Sequence, residues 1–248
     1  MSSIHSEVVY PESDGMPMAE STLQFSYIVL IKEGLEILYR NREDVFVAGD
    51  LFWYPVEGSP DIRVAPDAMV AFGRPKRAYL GSYRQWEEDD IAPQVVFEVL
   101  SPSNTPSEME RKLDFYDQYG VEEYYVYDPL GGTLEGYLRG EGGLTKIDKM
   151  QNHVSPRLGA RFELRDRDLV LFRPDNQMFR SPVELEGLRE HAEEIAREEQ
   201  IKRESAEKDK AQAEKDKAQA EKDKAQAEKD KAQAEKDKEE AEARQKQA

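Results

Sequence analysis

The sequence predicts an α/β domain, a mixed β-sheet flanked by helices, followed by a long charged C-terminal helix. Three observations predict it. Apolar residues recur at three- and four-residue spacing early in the chain, as on one face of a helix. Short apolar runs bounded by turn residues follow, as in strands. Between two of those runs, Val95–Leu100 and "EEYYVYD", stands a capped helical segment, so strand, helix and strand alternate.

The first helix spans about Ser21 to Arg40, with Leu23, Tyr27, Leu30, Ile31, Leu35 and Leu38 on its periodic positions. "DVFVAGDLFWYP" then reads as a strand, and "DIRVAPDAMVAFG" as one or two more. Val95–Leu100 is the next strand. Ser107 and Glu110 have the spacing of a capping box for the second helix. Gly120 sits where a C-terminal cap is expected. "EEYYVYD" is a strand closed by Asp128-Pro129 and Gly131-Gly132, and "TLEGYLR" returns from that turn. Tyr124, Tyr125 and Tyr127 are expected to pack across strands. Shorter β segments lie around Phe162–Leu164 and Leu169–Phe172. At "SPVE", Ser181, Pro182 and Glu184 mark a strong helix start. The resulting organisation is an N-terminal extension over 1–20, a central domain over 21–180 and a helix over 181–248.

There are 248 residues and no cysteine, which excludes disulfides and thiolate metal sites. No apolar run approaches the roughly 20 residues that span a bilayer. The start of the chain lacks the order of a signal peptide. The expectation is a non-membrane protein of the cytoplasm. The formal charge is −17, and residues 1–205 hold 39 acids against 23 bases. Within that acidic body "GRPKRAYLGSYRQW" carries Arg74, Lys76, Arg77 and Arg84 with no acid.

Side chains alternate along a strand, so Val96, Glu98 and Leu100 share one face and Val95, Phe97 and Val99 the other. Glu98 is thus a carboxylate among apolar neighbours. Burying it costs several kcal/mol unless it is paired or coordinated. Asp67, after Pro66, stands at the mouth of an earlier apolar run. Two carboxylates brought together repel unless a cation intervenes. With oxygen-only ligands, Mg²⁺ is the fitting ion. On the second helix, at ~100° per residue, Lys112 falls ~60° from Met109 and inside the apolar arc of Met109, Leu113, Tyr116 and Tyr119. That arc turns a lysine inward, unless its ammonium snorkels to water. Asp50 and Glu36 are weaker acidic candidates. His5, His153 and His191 show no ligand spacing and are assigned no role.

Pro66-Asp67, then Glu98 in "FEVLSPSN", then Lys112 and "YDQYGVEEYYVYDP" resemble the Uma-two family of restriction-endonuclease-like proteins, within the PD-(D/E)XK nuclease superfamily. The similarity runs from about Ser13 to Asp175. The resemblance implies a restriction-endonuclease-like core and a Mg²⁺-dependent phosphodiesterase site, with Mn²⁺ as a substitute ion. It implies Asp67, Glu98 and the Val99 carbonyl as metal ligands. The superfamily lysine two places after the glutamate is replaced here by Leu100, and Lys112 matches the family's relocated lysine. Asp67 and Glu98 bring −2, the ion +2, Lys112 +1 and a phosphodiester −1, which balances. The basic segment is expected to contact DNA, with Arg74, Lys76, Arg77 and Arg84 on phosphates and Tyr79, Tyr83 and Trp86 stacking on bases.

From Ala206 "AEKDKAQ" repeats every seven residues. A coiled coil is the obvious reading of that period. However, the alanines alternate in steps of five and two, and no large apolar residue occupies any repeat position. The reading is a solvated helix laced by pairs such as Glu207–Lys210 and Lys210–Glu214. Leu185, Leu188, Ala192 and Ile195 form an apolar seam suited to the domain or to a homodimer partner. The expected function is a Mg²⁺-dependent DNA endonuclease. A binding or scaffold protein that keeps the fold without catalysis is the alternative, and an enzyme acting on RNA or nucleotides is a third.

Overall fold

A computed structural model describes residues 8–13, 15 and 19–246; His5 lies outside the described residues. The chain divides into two compact units, one ending at Leu185 and one starting at Glu186.

In the first unit, helix α1 (Thr22–Leu38) is capped by Ser21, whose hydroxyl accepts from the Gln24 amide at 3.1 Å. Strands β1 (Val45–Ala48), β2 (Trp53–Tyr54), β3 (Ala68–Phe72), β4 (Tyr83–Arg84) and β5 (Val95–Val99) follow. Helix α2 (Pro106–Gln118) leads to β6 (Glu123–Asp128), β7 (Thr133–Gly140) and β8 (Gly143–Lys146). Then come β9 (His153–Val154), β10 (Arg161–Arg165) and β11 (Asp168–Phe172). The main sheet has six strands in the order β1-β3-β5-β6-β7-β8. Its pairs are antiparallel except β5–β6, which are parallel and therefore need the α2 crossover. The expected mixed sheet is present.

Each strand face meets a helix. Ile28, Ile31 and Leu35 of α1 pack with Val45, Val70, Val95, Phe97 and Val99. The three-stranded sheet β11-β10-β9 closes the same side through Phe162, Leu169 and Leu171. On the opposite face, Tyr116 of α2 packs with Phe46, Met69, Val96 and Tyr124. Alternation along β5 thus divides its side chains between two cores, with all five residues buried.

Local chemistry corrects one boundary. α2 starts at Pro106 with Thr105 as its cap, the hydroxyl accepting from the Glu108 amide at 3.3 Å. Ser107 is already inside the first turn. Proline at the first helical position has the right φ and lacks an amide that would go unpaired there, which moves the start two residues before the expected box. Gly120 does end the helix, at φ 91°. The sequence reading does not place strands β4, β8 and β9. β4 is two residues long within the basic segment, and β8 is a polar "GLTK" held to β7 as an edge strand.

Helix α3 (Pro182–Lys246) begins with the expected reciprocal box: the Ser181 amide donates to Glu184 at 2.8 Å, and the Glu184 amide donates to the Ser181 hydroxyl at 3.3 Å. It has 65 residues, ~98 Å at 1.5 Å per residue. Leu188 and Ile195 of its seam are exposed. Within the repeats the helix shows Gln–Asp pairs four residues apart, at Gln212–Asp216, Gln219–Asp223 and Gln226–Asp230. These recur once per seven residues and, among the described residues, stand in place of the expected Glu–Lys pairs.

Gly34 lies on the buried side of α1 against the Phe179 ring, and a Cβ there would overlap that ring. Glycine to alanine inside a helix ordinarily gains about 1 kcal/mol. Here Gly34→Ala is expected to destabilise by about 1–3 kcal/mol through overpacking, read as a lower urea midpoint. A raised midpoint would show that Phe179 yields freely.

Candidate active site

The site lies where a β-ladder is interrupted. β3 and β5 pair in the register Ala68↔Phe97. Continuing it places Asp67 opposite Glu98 and Pro66 opposite Val99. Proline has no amide to donate, and the Pro66 carbonyl is taken by the Asp50 amide at 2.9 Å. The ladder therefore stops, leaving both backbone groups of Val99 without a strand partner. Side chains replace it. The Val99 amide donates to Asp67 Oδ2 at 2.6 Å, and Gln24 Nε2 of α1 donates to the Val99 carbonyl at 2.9 Å. Gln24 is itself buried, and its Oε1 accepts from the Glu20 amide at 2.9 Å.

Residues directly opposite on neighbouring strands have Cβ atoms ~5 Å apart, so Asp67 and Glu98 face each other on the α2 side of the sheet. Glu98 is only 3% exposed. Its two oxygens are met by two residues of α2. Lys112 Nζ donates to Oε2 at 2.8 Å, and the Tyr116 hydroxyl donates to Oε1. Lys112 does turn inward, one helical turn before Tyr116 on the same flank.

Burial pushes the Asp67 carboxyl well above the usual carboxylate range, and the charge of Glu98 opposite adds to it; the Val99 amide and Lys112 only partly counter this. For Lys112 burial alone would lower the ammonium pKa. Its attraction to Glu98, the hydrogen bond to that group and the charge of Asp67 outweigh burial and raise it. Lys112 is held as an ammonium against Glu98, while Asp67 is the group under electrostatic stress.

Glu123, one strand over and 2% exposed, is a useful contrast. It accepts from Tyr125 at 2.9 Å, from the Arg157 amide at 2.6 Å and from Ser155, on the α1 side of the sheet. Neutral donors satisfy it, and no second acid faces it across a strand. His153 lies beside Tyr125 in this structural cluster, and burial lowers its pKa.

The other sequence candidates lie elsewhere. Asp50, at φ 49°, turns the chain after β1, and its charge acts on Asp67. Glu36 lies 3.6 Å from Lys32 and lines a cavity with Lys76 and Arg77. The basic segment leaves the far end of β3, ~17 Å along the strand from Asp67. Arg74 is 8% exposed, bonded to Glu88 at 2.9 Å and to Asp89. Arg77 also meets Glu88. Arg84 pairs with Glu87 at 3.2 Å and lies over the Tyr10 ring. Of the three aromatics, Tyr83 is fully buried, Trp86 packs on Tyr10, and Tyr79 is exposed.

Two contributors escaped the sequence reading. The sequence places Tyr116 only as an apolar member of the α2 arc. Gln24 shares the buried α1 face with Ile28, Ile31 and Leu35; a polar side chain on that stripe was the available signal.

Residues 28–166 match the Uma2 family model, described as "Putative restriction endonuclease". The chain belongs to the Uma2 family. The match includes Asp67, Glu98, Lys112 and Tyr116 and leaves out Gln24. No curated protein matches. Five solved chains do, among them a crystal structure described as a "putative nuclease belonging to DUF820" from Anabaena variabilis ATCC 29413. It is 14% identical over 57% of this chain and 73% of that one, with a TM-score of 0.41.

The raised Asp67 pKa sets a pH dependence. A carboxyl with a folded-state pKa above its unfolded value favours folding below the unfolded pKa, near 3.9, and loses that advantage as pH rises through the folded value. At neutral pH, where the unfolded chain carries the ionised carboxylate freely and the folded chain does not, burying Asp67 therefore weakens the fold relative to acid pH. Asp67→Asn, whose amide oxygen still accepts from Val99, is expected to raise the urea midpoint at pH 7 in EDTA. The gain should vanish towards pH 3. An equal shift at both pH values would contradict this electrostatic account.

Proposed function

We propose that this Uma2-family chain is a metal-dependent endonuclease that hydrolyses DNA phosphodiester bonds. The observation that carries the reading is the facing pair Asp67 and Glu98 with Lys112 delivered onto it. The donor set fits a hard divalent ion. Asp67, Glu98 and the second lone pair of the Val99 carbonyl would supply oxygens, and water the remainder, as suits Mg²⁺ or Mn²⁺. Among the described residues no three His, Cys, Asp or Glu side chains gather to bind a metal, so the protein share is small. Bound there, such an ion would polarise a phosphoryl oxygen and activate water.

The chain's own groups have separable roles. Asp67, pushed towards the neutral form by burial and by the charge of Glu98, would ionise once positive charge enters. Lys112 carries three donors and uses one on Glu98. Its raised pKa keeps it protonated at neutral pH, so it serves as a donor rather than a base. The remaining N–H groups would orient the attacking water or stabilise charge growing on phosphorus. Of Arg74, Lys76, Arg77 and Arg84, we propose that Lys76 and Arg84 contact the DNA backbone away from the scissile bond, since Arg74 is buried against Glu88 and Asp89 and Arg77 is held by Glu88.

Asp67→Ala, Glu98→Ala and Lys112→Ala are each expected to cut Mg²⁺-stimulated cleavage by at least about 10²-fold in folded protein. If the unaltered chain, with Mg²⁺ or Mn²⁺, cuts neither duplex nor single-stranded DNA, the DNA endonuclease reading fails. Cleavage of RNA alone would redirect it to that substrate. A second reading, a binding protein without catalysis, is favoured by the 39 acids against 23 bases in residues 1–205. It requires that Mn²⁺ show no affinity dependent on Asp67.

A further inference from the structure

Glu98 is bonded by two α2 residues, and only Lys112 has a part in the proposed chemistry. Tyr116 is 0% exposed, yet it presents a hydroxyl rather than a bare ring to Glu98 Oε1. A phenylalanine would fill nearly the same core volume, so packing does not account for the oxygen.

Two neighbouring rings pack on the ring that carries it. Trp53 lies parallel to it, 1° between planes with centroids 6.4 Å apart, and Tyr124 tilts against it at 4.8 Å. Trp53 is in turn set by its indole N–H, which donates to Gln85 Oε1 at 3.1 Å. A line of contacts thus runs from Gln85 through Trp53 and Tyr116 to one oxygen of Glu98, independent of Lys112. Two donors, one per oxygen, remove the carboxylate's freedom to rotate. A carboxylate oxygen has two acceptor positions, so each keeps one for a further partner.

We propose that Tyr116 is a positioning residue: its hydroxyl orients the Glu98 carboxylate so that the free acceptor positions face Asp67 and a divalent cation. This rests on the metal-dependent reading above. The neighbouring ring supplies the control. Tyr124 is equally buried, 1% exposed, and belongs to the same stack, but among the described residues its hydroxyl has no hydrogen-bond partner. Removing an oxygen from either ring perturbs the same core, and only one of the two oxygens touches the carboxylate.

The experiment is a Mn²⁺ titration by calorimetry of the full chain and of Tyr116→Phe, Tyr124→Phe and Glu98→Gln, with thermal melts confirming folded protein. Loss of an outer partner of a metal ligand typically costs 10–100-fold in affinity. Tyr116→Phe is therefore expected to weaken Mn²⁺ binding at least about tenfold, while Tyr124→Phe leaves it unchanged and Glu98→Gln abolishes it. If Glu98→Gln abolishes binding and Tyr116→Phe binds as the unaltered chain does, the positioning role is wrong and the metal site stands. Equal losses in the two phenylalanine variants would reduce the effect to core packing and overturn the proposal. If the unaltered chain binds no Mn²⁺, or Glu98→Gln binds it equally, the metal reading falls and this role with it.

Discussion

A carboxylate in the middle of a buried strand has to be compensated, and the structure around the site follows from how Glu98 is. Removing it from water costs several kcal/mol. A hydrogen bond to a charged group returns about 1.5–3 kcal/mol, so a single donor would not suffice. Helix α2 provides two, Lys112 and Tyr116, spaced four residues apart and hence on one flank. For both to reach one strand, α2 must lie across β5 immediately after the chain leaves it. The parallel β5–β6 pairing imposes that placement, because its crossover has to return over the sheet.

The second acid owes its position to a defect. A regular ladder would pair Val99 with residue 66, and Pro66 cannot donate. Asp67 and Gln24 take over the two orphaned backbone groups of Val99. The same bond that satisfies the backbone therefore holds a carboxylate against Glu98. Burial and like charge leave Asp67 stressed, with its pKa well raised. A site that strains its own acids in this way gains most from a cation. Glu123 shows the relaxed alternative in the next strand, with three neutral donors and no opposing acid.

Much of the positive charge elsewhere is spent on the protein's own acids. Arg74 and Arg77 neutralise Glu88, and Arg157 and Arg139 meet Glu122 and Asp117. A basic run in a sequence is thus a poor guide to a basic surface, because acids from the following loop fold back onto it. In the C-terminal repeats the opposite holds. Their side-chain pairs are local, four residues apart, so what the helix does there is decided by neighbours in sequence.

The α1 boundaries, the start of α3, the alternation along β5 and the inward flank of α2 were legible in the sequence, since all depend on residues within a turn or two of one another. The choice of Asp67, Glu98 and Lys112 came from local pattern and family likeness together. Hidden from both was which buried glutamate would face a second acid: Glu98 and Glu123 look alike in a strand, and only cross-strand register and helix placement set Asp67 against one of them. Tyr116 as a donor, Gln24 as the partner of Val99 and the acids that neutralise Arg74 were likewise decided by tertiary structure. Each joins residues between 14 and 75 positions apart, and no short-range periodicity encodes a contact over that separation.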